Sequence, residues 1–277
     1  MEQELFRTEL MVNTEIRFID IDGLSVRVGV RAGQGRPLLI FNGIGANLEL
    51  LESLTAALDG VQTIVFDVPG VGESDPLLTP YRLRGLAKLA ARILDELGHA
   101  GQVDVLGVSW GGLLAQQFAF TCSARCRKLV LAATTPGMFM VPGSPRALSR
   151  LFNPRRYTDP SHLERVAPSV YGGEVRRNPS LIRAYGSRSK APHWQGYLYQ
   201  QLAIWGWTSL PWLPLLTQPT LILNGNDDPL VPLANGLILA ALIPRARLEV
   251  VDGGHLFLLI CPLRVAAEIQ RFLAEAE

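Results

Sequence analysis

Val103-Asp104-Val105-Leu106-Gly107-Val108-Ser109-Trp110-Gly111-Gly112-Leu113-Leu114 is the stretch on which the fold turns. An apolar run stops at Val108, a helical pattern starts at Trp110, and one serine stands between them. A serine at a sharp strand-to-helix turn has strained backbone geometry. Gly107 and Gly111 flank it two residues away because side chains there would collide with the neighbouring strand and helix. The hydroxyl then projects from the carboxyl edge of the sheet, where the positive end of the following helix favours developing negative charge. Gly-x-Ser-x-Gly alone can recur by chance in a chain with 26 glycines. The strand-turn-helix setting is what makes Ser109 a candidate nucleophile.

Outward from this turn, Ile16 to Ile21 and Leu24 to Val30 are alternating runs split by Asp22-Gly23, a hairpin signal. Leu38 to Phe41, Gln62 to Phe66, Lys128 to Ala133 and Thr220 to Leu223 read, like Val103 to Val108, as strands buried on both faces. Leu48 to Leu58, Arg82 to Leu97 and Trp110 to Phe120 have helical spacing, giving right-handed crossovers between parallel strands. After residue 219 come a strand, a helix at Leu233 to Leu242, a strand at Arg247 to Val251 and a last helix at Pro262 to Ala276. The expectation is an α/β fold: a mostly parallel sheet of about eight strands flanked by helices.

Pro136 to Thr217 breaks that rhythm with several prolines, short helical patterns and Trp194, Trp205, Trp207 and Trp212. It reads as an inserted helical cap, 136–217, on a core formed by 1–135 and 218–277. The cap carries ten Lys or Arg against three Asp or Glu, a net +7, which leaves −6 for the rest of a chain whose total is +1. Two readings follow: a solvated basic face, or an apolar, cationic surface for a hydrophobic or anionic particle. The overall balance gives no reason to bind nucleic acid. Cys122, Cys126 and Cys261 are too few and scattered for a disulfide framework. MEQELFRTEL lacks a secretory pattern, and no apolar run is long enough to span a bilayer, so a cytoplasmic protein is expected.

A serine nucleophile needs a histidine to take its proton and a carboxylate to hold that histidine's tautomer. Of four histidines, His255 alone follows a late strand, in Val251-Asp252-Gly253-Gly254-His255. His162 and His193 lie in the cap without carboxylate or Cys at metal-ligand spacing, so neither a metal nor a cofactor is expected. The acid lies in Asn224-Gly225-Asn226-Asp227-Asp228-Pro229; Asp228 is the choice, with Asp227 as its competitor. Two main-chain N–H groups can face an oxyanion: Trp110, after the nucleophile, and Ile44, in the Gly-rich segment after the third strand. Asn42, Trp194, Trp205, Trp207 and Leu256 are the expected substrate contacts. Asp67-Val68-Pro69-Gly70-Val71-Gly72-Glu73-Ser74 fits no phosphate-loop pattern and reads as a structural turn lining the rim of the site.

Across nearly its whole length the chain resembles the intracellular medium-chain-length poly(3-hydroxyalkanoate) depolymerases, serine esterases of the α/β-hydrolase fold. The resemblance is carried by Leu39 to Leu50, Phe66 to Gly72 and Gly107 to Gly112. In the cap it is carried by Met140-Val141-Pro142-Gly143, Pro154-Arg155-Arg156-Tyr157, Tyr171-Gly172-Gly173 and Gly206-Trp207-Thr208-Ser209, then by Asp227 to Leu230 and Gly254 to Leu258. Cap sequence separates subfamilies that share the same catalytic residues. The chain departs from the family at Glu73-Ser74-Asp75, at Gly253 and over Ser187 to Gln195.

The resemblance implies Ser109 as nucleophile, Asp228 as orienting acid and His255 as acid and base, acting on a hydrophobic polyester at a storage granule. Other readings are a broad carboxylesterase that also cuts polycaprolactone or polylactide, a C–C bond hydrolase, and a non-catalytic ligand receptor.

Overall fold

The computed structural model describes residues 14–151, 153, 155 and 159–276. MEQELFRTEL and three of the four residues of the Pro154-to-Tyr157 motif lie outside that set. Eight strands form one sheet: β1 (Thr14–Ile21), β2 (Leu24–Arg31), β3 (Gln34–Phe41), β4 (Val61–Phe66), β5 (Val103–Val108), β6 (Cys126–Ala132), β7 (Thr220–Gly225) and β8 (Ala246–Val251). Their order is β1-β2-β4-β3-β5-β6-β7-β8. β1 and β2 pair antiparallel across Asp22-Gly23, both at positive φ (56° and 82°) as a tight two-residue hairpin requires. β2 also runs antiparallel to β4, and every later pairing is parallel.

The central strands are buried on both faces because each face has its own helices. Leu39, Phe41 and Val105 pack with α2 (Leu83–Glu96) and α3 (Trp110–Thr121); Leu38, Ile40 and Leu106 pack with α1 (Glu52–Ala57) and α11 (Pro262–Ala274). The expected helix from Leu48 starts as a 3₁₀ turn over Leu48–Leu51 before α1. The last one is preceded by the short α10 (Phe257–Ile260), and Pro262 opens α11, where a missing N–H costs nothing. α9 (Leu233–Leu242) links β7 to β8.

Between β6 and β7 lie α4 (Pro145–Leu151), α5 (Pro160–Tyr171), α6 (Gly173–Arg177), α7 (Ile182–Arg188) and α8 (Trp194–Ile204). Leu163, Val166, Val170 and Ile182 form a separate apolar cluster closed from below by Leu230, Val231 and Leu256. Tyr199 and Ala203 of α8 instead pack in the same cluster as Phe118, so this insertion is rooted in the main core at its far end.

Part of the insertion's positive charge faces the rest of the chain. Arg176 pairs with Asp227 (2.7 Å), Arg177 with Asp252 (3.7 Å) and Arg188 with Glu52 (3.7 Å), while Lys190 reaches both Glu73 (2.5 Å) and Glu49 (3.1 Å). Four of the insertion's ten cations thus meet carboxylates of the rest of the chain, while Arg146, Arg155 and Arg165 stand exposed and Arg183 pairs with Glu164 inside the insertion. Lys190 and Glu73 join two of the stretches where the chain departs from its family. Arg27 completes this cluster from below, at 2.9 Å from Glu49 and 3.4 Å from Asp67. Burial pushes Glu49 up, but hydrogen bonds from Arg27, Asn47 and Lys190 hold it at about 2. Burial dominates at Asp67 and pushes it up to about 6, against hydrogen bonds from the Glu73 and Leu48 N–H groups.

Candidate active site

Ser109 occupies the turn between β5 and α3 at φ 54° and ψ −118°, a strained conformation for a residue with a side chain. The surroundings leave no alternative. A Cβ on Gly107 would lie 2.4 Å from the Gly111 carbonyl oxygen, and one on Gly111 would lie 2.1 Å from that of Phe41. The Ser109 N–H donates to the Ala132 carbonyl (2.9 Å), and the Ser109 carbonyl accepts from the Thr134 hydroxyl (2.7 Å). Neighbouring strands thus hold the turn that local sequence only suggests.

His255 and Asp228 arrive from the ends of β8 and β7. The Asp228 side chain is fully buried: Oδ1 accepts the Leu230 and Val231 N–H groups (2.9 Å each), and Oδ2 accepts His255 Nδ1–H at 2.7 Å. That bond leaves His255 Nε2 as acceptor for the Ser109 hydroxyl at 3.1 Å. The competitor Asp227 points the other way, accepting from the Gly173 N–H (2.8 Å) and Arg176 (2.7 Å). It ties the insertion down and does not touch the histidine.

The Tyr171-Gly172-Gly173 motif serves the same junction. The Tyr171 carbonyl accepts the His255 N–H at 2.7 Å, and Cβ atoms on Gly172, Gly173 or Gly254 would each come within 2.0 Å of main-chain atoms across the contact. Only bare backbone fits there, so the insertion abuts the histidine loop directly.

The Ile44 and Trp110 N–H groups donate to no protein acceptor among the described residues and lie on the two loops beside Ser109. Asn42 braces the first loop: its side chain accepts the Gly43 N–H (2.8 Å) and donates to the Asn47 carbonyl (2.9 Å). A further residue, missed in the sequence, is Gln200 of α8. Its side-chain oxygen accepts the Gly45 N–H (2.7 Å), and its carbonyl accepts the Trp110 indole N–H (3.0 Å). The buried side-chain amide thus holds the Gly45 loop, and the main-chain carbonyl of the same residue holds the Trp110 side chain. A single polar residue on a helix carries no periodic signal that it is buried, so only the packing exposes it.

Two cavities meet at Ser109. A wide apolar one of about 390 Å³ is lined by Leu113, Met140, Leu148, Leu198, Leu202 and Trp205; a narrow one of about 60 Å³ reaches Asn42, Tyr171, Tyr185 and Leu256. Of the five expected substrate contacts, Asn42, Trp205 and Leu256 line these spaces. Trp207 instead donates its indole N–H to Gln117 (2.7 Å) and packs edge-on against Trp212. Trp194, at the start of α8, is exposed and lines neither cavity. The Asp67-to-Ser74 turn also lies off the cavities: Gly70 packs on Gly196 of α8, and a Cβ on Gly72 would strike the Asp67 carboxylate. Among the described residues no three His, Cys, Asp or Glu side chains gather to hold a metal ion. No helix among them is long and apolar enough to cross a membrane.

The arrangement can be set beside known proteins. The alpha/beta hydrolase fold family matches residues 36–260. A poly(3-hydroxyalkanoate) depolymerase of Ectopseudomonas oleovorans is 52% identical over 94% of this chain and 92% of its own length. The structure of an enol-lactonase from Burkholderia xenovorans superposes with a TM-score of 0.79 at 22% identity, covering 94% of this chain and 100% of that one. That of a thermophilic esterase from Thermogutta terrifontis superposes at 0.76 with 26% identity, covering 94% and 97%. The chain is a hydrolase that belongs to the alpha/beta hydrolase fold family and, within it, to the poly(3-hydroxyalkanoate) depolymerases.

Proposed function

We propose that the protein hydrolyses the ester bonds of an aliphatic polyester, a poly(3-hydroxyalkanoate), through an acyl-serine intermediate. The observation that carries this reading is the unbroken hydrogen-bond line from Asp228 through His255 to Ser109 at the floor of an apolar cavity. His255 Nε2 takes the Ser109 proton as Oγ attacks the ester carbonyl. The carbonyl oxygen becomes an oxyanion between the Ile44 and Trp110 N–H groups, donors of a kind worth about 2.7–4 kcal/mol when one is removed elsewhere. His255 then protonates the departing alkoxide and activates the water that releases the acid, while Asp228 holds its tautomer and stabilises the imidazolium.

The polymer meets an apolar rather than a cationic surface on this reading. Met138, Phe139 and Trp205 stand exposed in the segments that flank the wide cavity, whereas four of the insertion's cations are paired with core carboxylates. Adhesion to polymer granules should therefore survive high salt and charge reversal at Arg176 and Arg177.

The test is release of soluble hydroxy acid from emulsified medium-chain poly(3-hydroxyalkanoate) and from polycaprolactone, beside a soluble p-nitrophenyl ester, for wild type and Ser109→Ala. Selective, Ser109-dependent release from the first polymer is expected. Hydrolysis of both polymers would make the protein a broad polyesterase, and turnover of the soluble ester alone would overturn the polymer reading.

A further inference from the structure

We infer that Asn47 is a positioning residue for the oxyanion: its side chain ties residues 188–190 of the insertion to the loop bearing the Ile44 N–H, and so sets where that donor stands. The inference rests on the ester-hydrolase reading above.

Asn47 is fully buried and opens the 3₁₀ turn Leu48–Leu51 from an extended backbone, φ −78° and ψ 159°. An asparagine in that place ordinarily turns its side-chain oxygen back onto an N–H of the turn it opens. This one makes no such bond. Its Oδ1 accepts the Lys190 N–H (3.0 Å), and its Nδ2 donates to the Arg188 carbonyl (3.0 Å) and to Glu49 (2.6 Å). An ionised carboxylate can only accept, so Glu49, itself held by Arg27 and Lys190, fixes which end of the amide faces which partner. The amide meets the insertion as a neighbouring strand would, through the carbonyl of residue 188 and the N–H of residue 190. The Arg188 carbonyl ends α7 and needs a partner from outside that helix. Asn47 thus forgoes a local cap for a bond to a residue 141 positions along the chain.

From Asn47 the line runs on to the loop. The Asn47 carbonyl accepts Asn42 Nδ2 (2.9 Å), and Asn42 Oδ1 accepts the Gly43 N–H (2.8 Å). On the other side of Ile44, the Gly45 N–H donates to Gln200 of α8 (2.7 Å). The Ile44 N–H therefore lies between two fixed points, one traced to the end of α7 and the other to α8. A Cβ on Gly43 would stand 3.8 Å from that of Ser109, so the loop runs close beside the nucleophile. Donors to an oxyanion act only where the developing charge will be. Residues 188–190 belong to the Ser187-to-Gln195 stretch in which the chain departs from its family, and by this inference that departure bears on turnover rather than on choice of substrate.

The test uses the full chain and p-nitrophenyl butyrate. Asn47→Ala should lower kcat about tenfold and leave KM within about twofold. Inhibition by an alkyl trifluoromethyl ketone, whose adduct with Ser109 carries an oxyanion, should weaken by the same factor as kcat/KM. The pH midpoint of kcat/KM should not move, because His255 and Asp228 keep their partners. Asn47→Ser can cap the 3₁₀ turn locally but does not reach the insertion, and it should be no more active than Asn47→Ala. Asn42→Ala cuts the line one step nearer Ile44, so adding Asn47→Ala to it should cost little more. Lys190→Ala keeps the N–H and loses only the ion pairs, so its kcat should stay within about twofold of wild type. Recovery of activity in Asn47→Ser would make Asn47 a cap and overturn the inference. A rise in KM alone, a shifted pH midpoint, additive losses with Asn42→Ala, or an equal loss in Lys190→Ala would also overturn it, and each would leave the ester-hydrolase reading standing. Absence of any Ser109-dependent hydrolysis in the wild type would overturn both.

Discussion

The sheet edge that carries Ser109 and the insertion that covers it are held by different forces. At the edge, main chain packs on main chain: Gly107 and Gly111 admit no extra carbon, and the buried Asp228 carboxylate is satisfied by two backbone N–H groups and His255. The insertion rests on that edge through a glycine contact, one buried amide and a row of ion pairs, of which Arg176–Asp227 and Lys190–Glu73 are about half exposed. Close-packed interiors tolerate almost no change of volume, whereas exposed ion pairs are screened by salt and worth about 0.2–1 kcal/mol each. The geometry of Ser109, His255 and Asp228 is thus set by close packing, while the ion pairs add a salt-sensitive part to the attachment of an insertion that α8 roots in the main core.

The strongest way to break this comparison is at the reacting atoms. Ser109→Ala and Asp228→Asn should each lower kcat for a p-nitrophenyl ester by about 10⁴-fold or more, with the fold retained. Asp227→Asn should keep kcat within a few-fold, and equal losses at the two aspartates would erase the distinction drawn between them. Gly111→Ala should cost more than about 3 kcal/mol in urea unfolding, because its Cβ meets the Phe41 carbonyl; a normal unfolding curve would show that the edge can yield.

Gln200 sharpens the comparison, since it belongs to the insertion yet its side-chain amide holds the Gly45 N–H, next to Ile44 on the loop that bears one of the two N–H groups. Gln200→Ala should lower kcat about tenfold to a hundredfold with little change in KM, because the loss falls on oxyanion stabilisation. A rise in KM alone would assign Gln200 to substrate access instead. Lys190→Glu should lower Tm by about 2–4 °C and speed proteolytic cleavage between α4 and α8, an effect that salt mimics in wild type.

The smallest effect expected is a pH dependence at the junction. Asp67 is raised to about 6 in the folded protein from an ordinary 3.8, so its contribution to stability is full below the lower value and is lost as pH rises through the higher one. Glu49, held at about 2, contributes in the opposite sense, above its ordinary 4.5, and loses that contribution only as pH falls toward 2. Between about pH 5 and pH 7, Asp67→Asn should therefore gain Tm relative to wild type, and a constant difference would remove Asp67 from the balance.

Strands, helices and the turn at Ser109 were legible in the sequence because each rests on short-range geometry. Period-two alternation marked β1 and β2, doubly buried runs marked β3 to β7, and glycine spacing marked the elbow. The order of residues along the chain also pointed to His255 and to Asp227 or Asp228 as partners for the serine, and the family resemblance favoured Asp228. Pairing of distant elements was not legible. The strand order β2-β4-β3-β5, the pairing of four of the insertion's cations with carboxylates of the rest of the chain, the burial of Gln200 and the packing of Trp207 against the main core all join residues far apart in the chain. Local pattern states what a residue prefers to be, apolar, charged or strained. Which partner meets that preference is decided only when the chain closes on itself, as where Arg176, Arg177, Arg188 and Lys190 meet carboxylates distant in sequence.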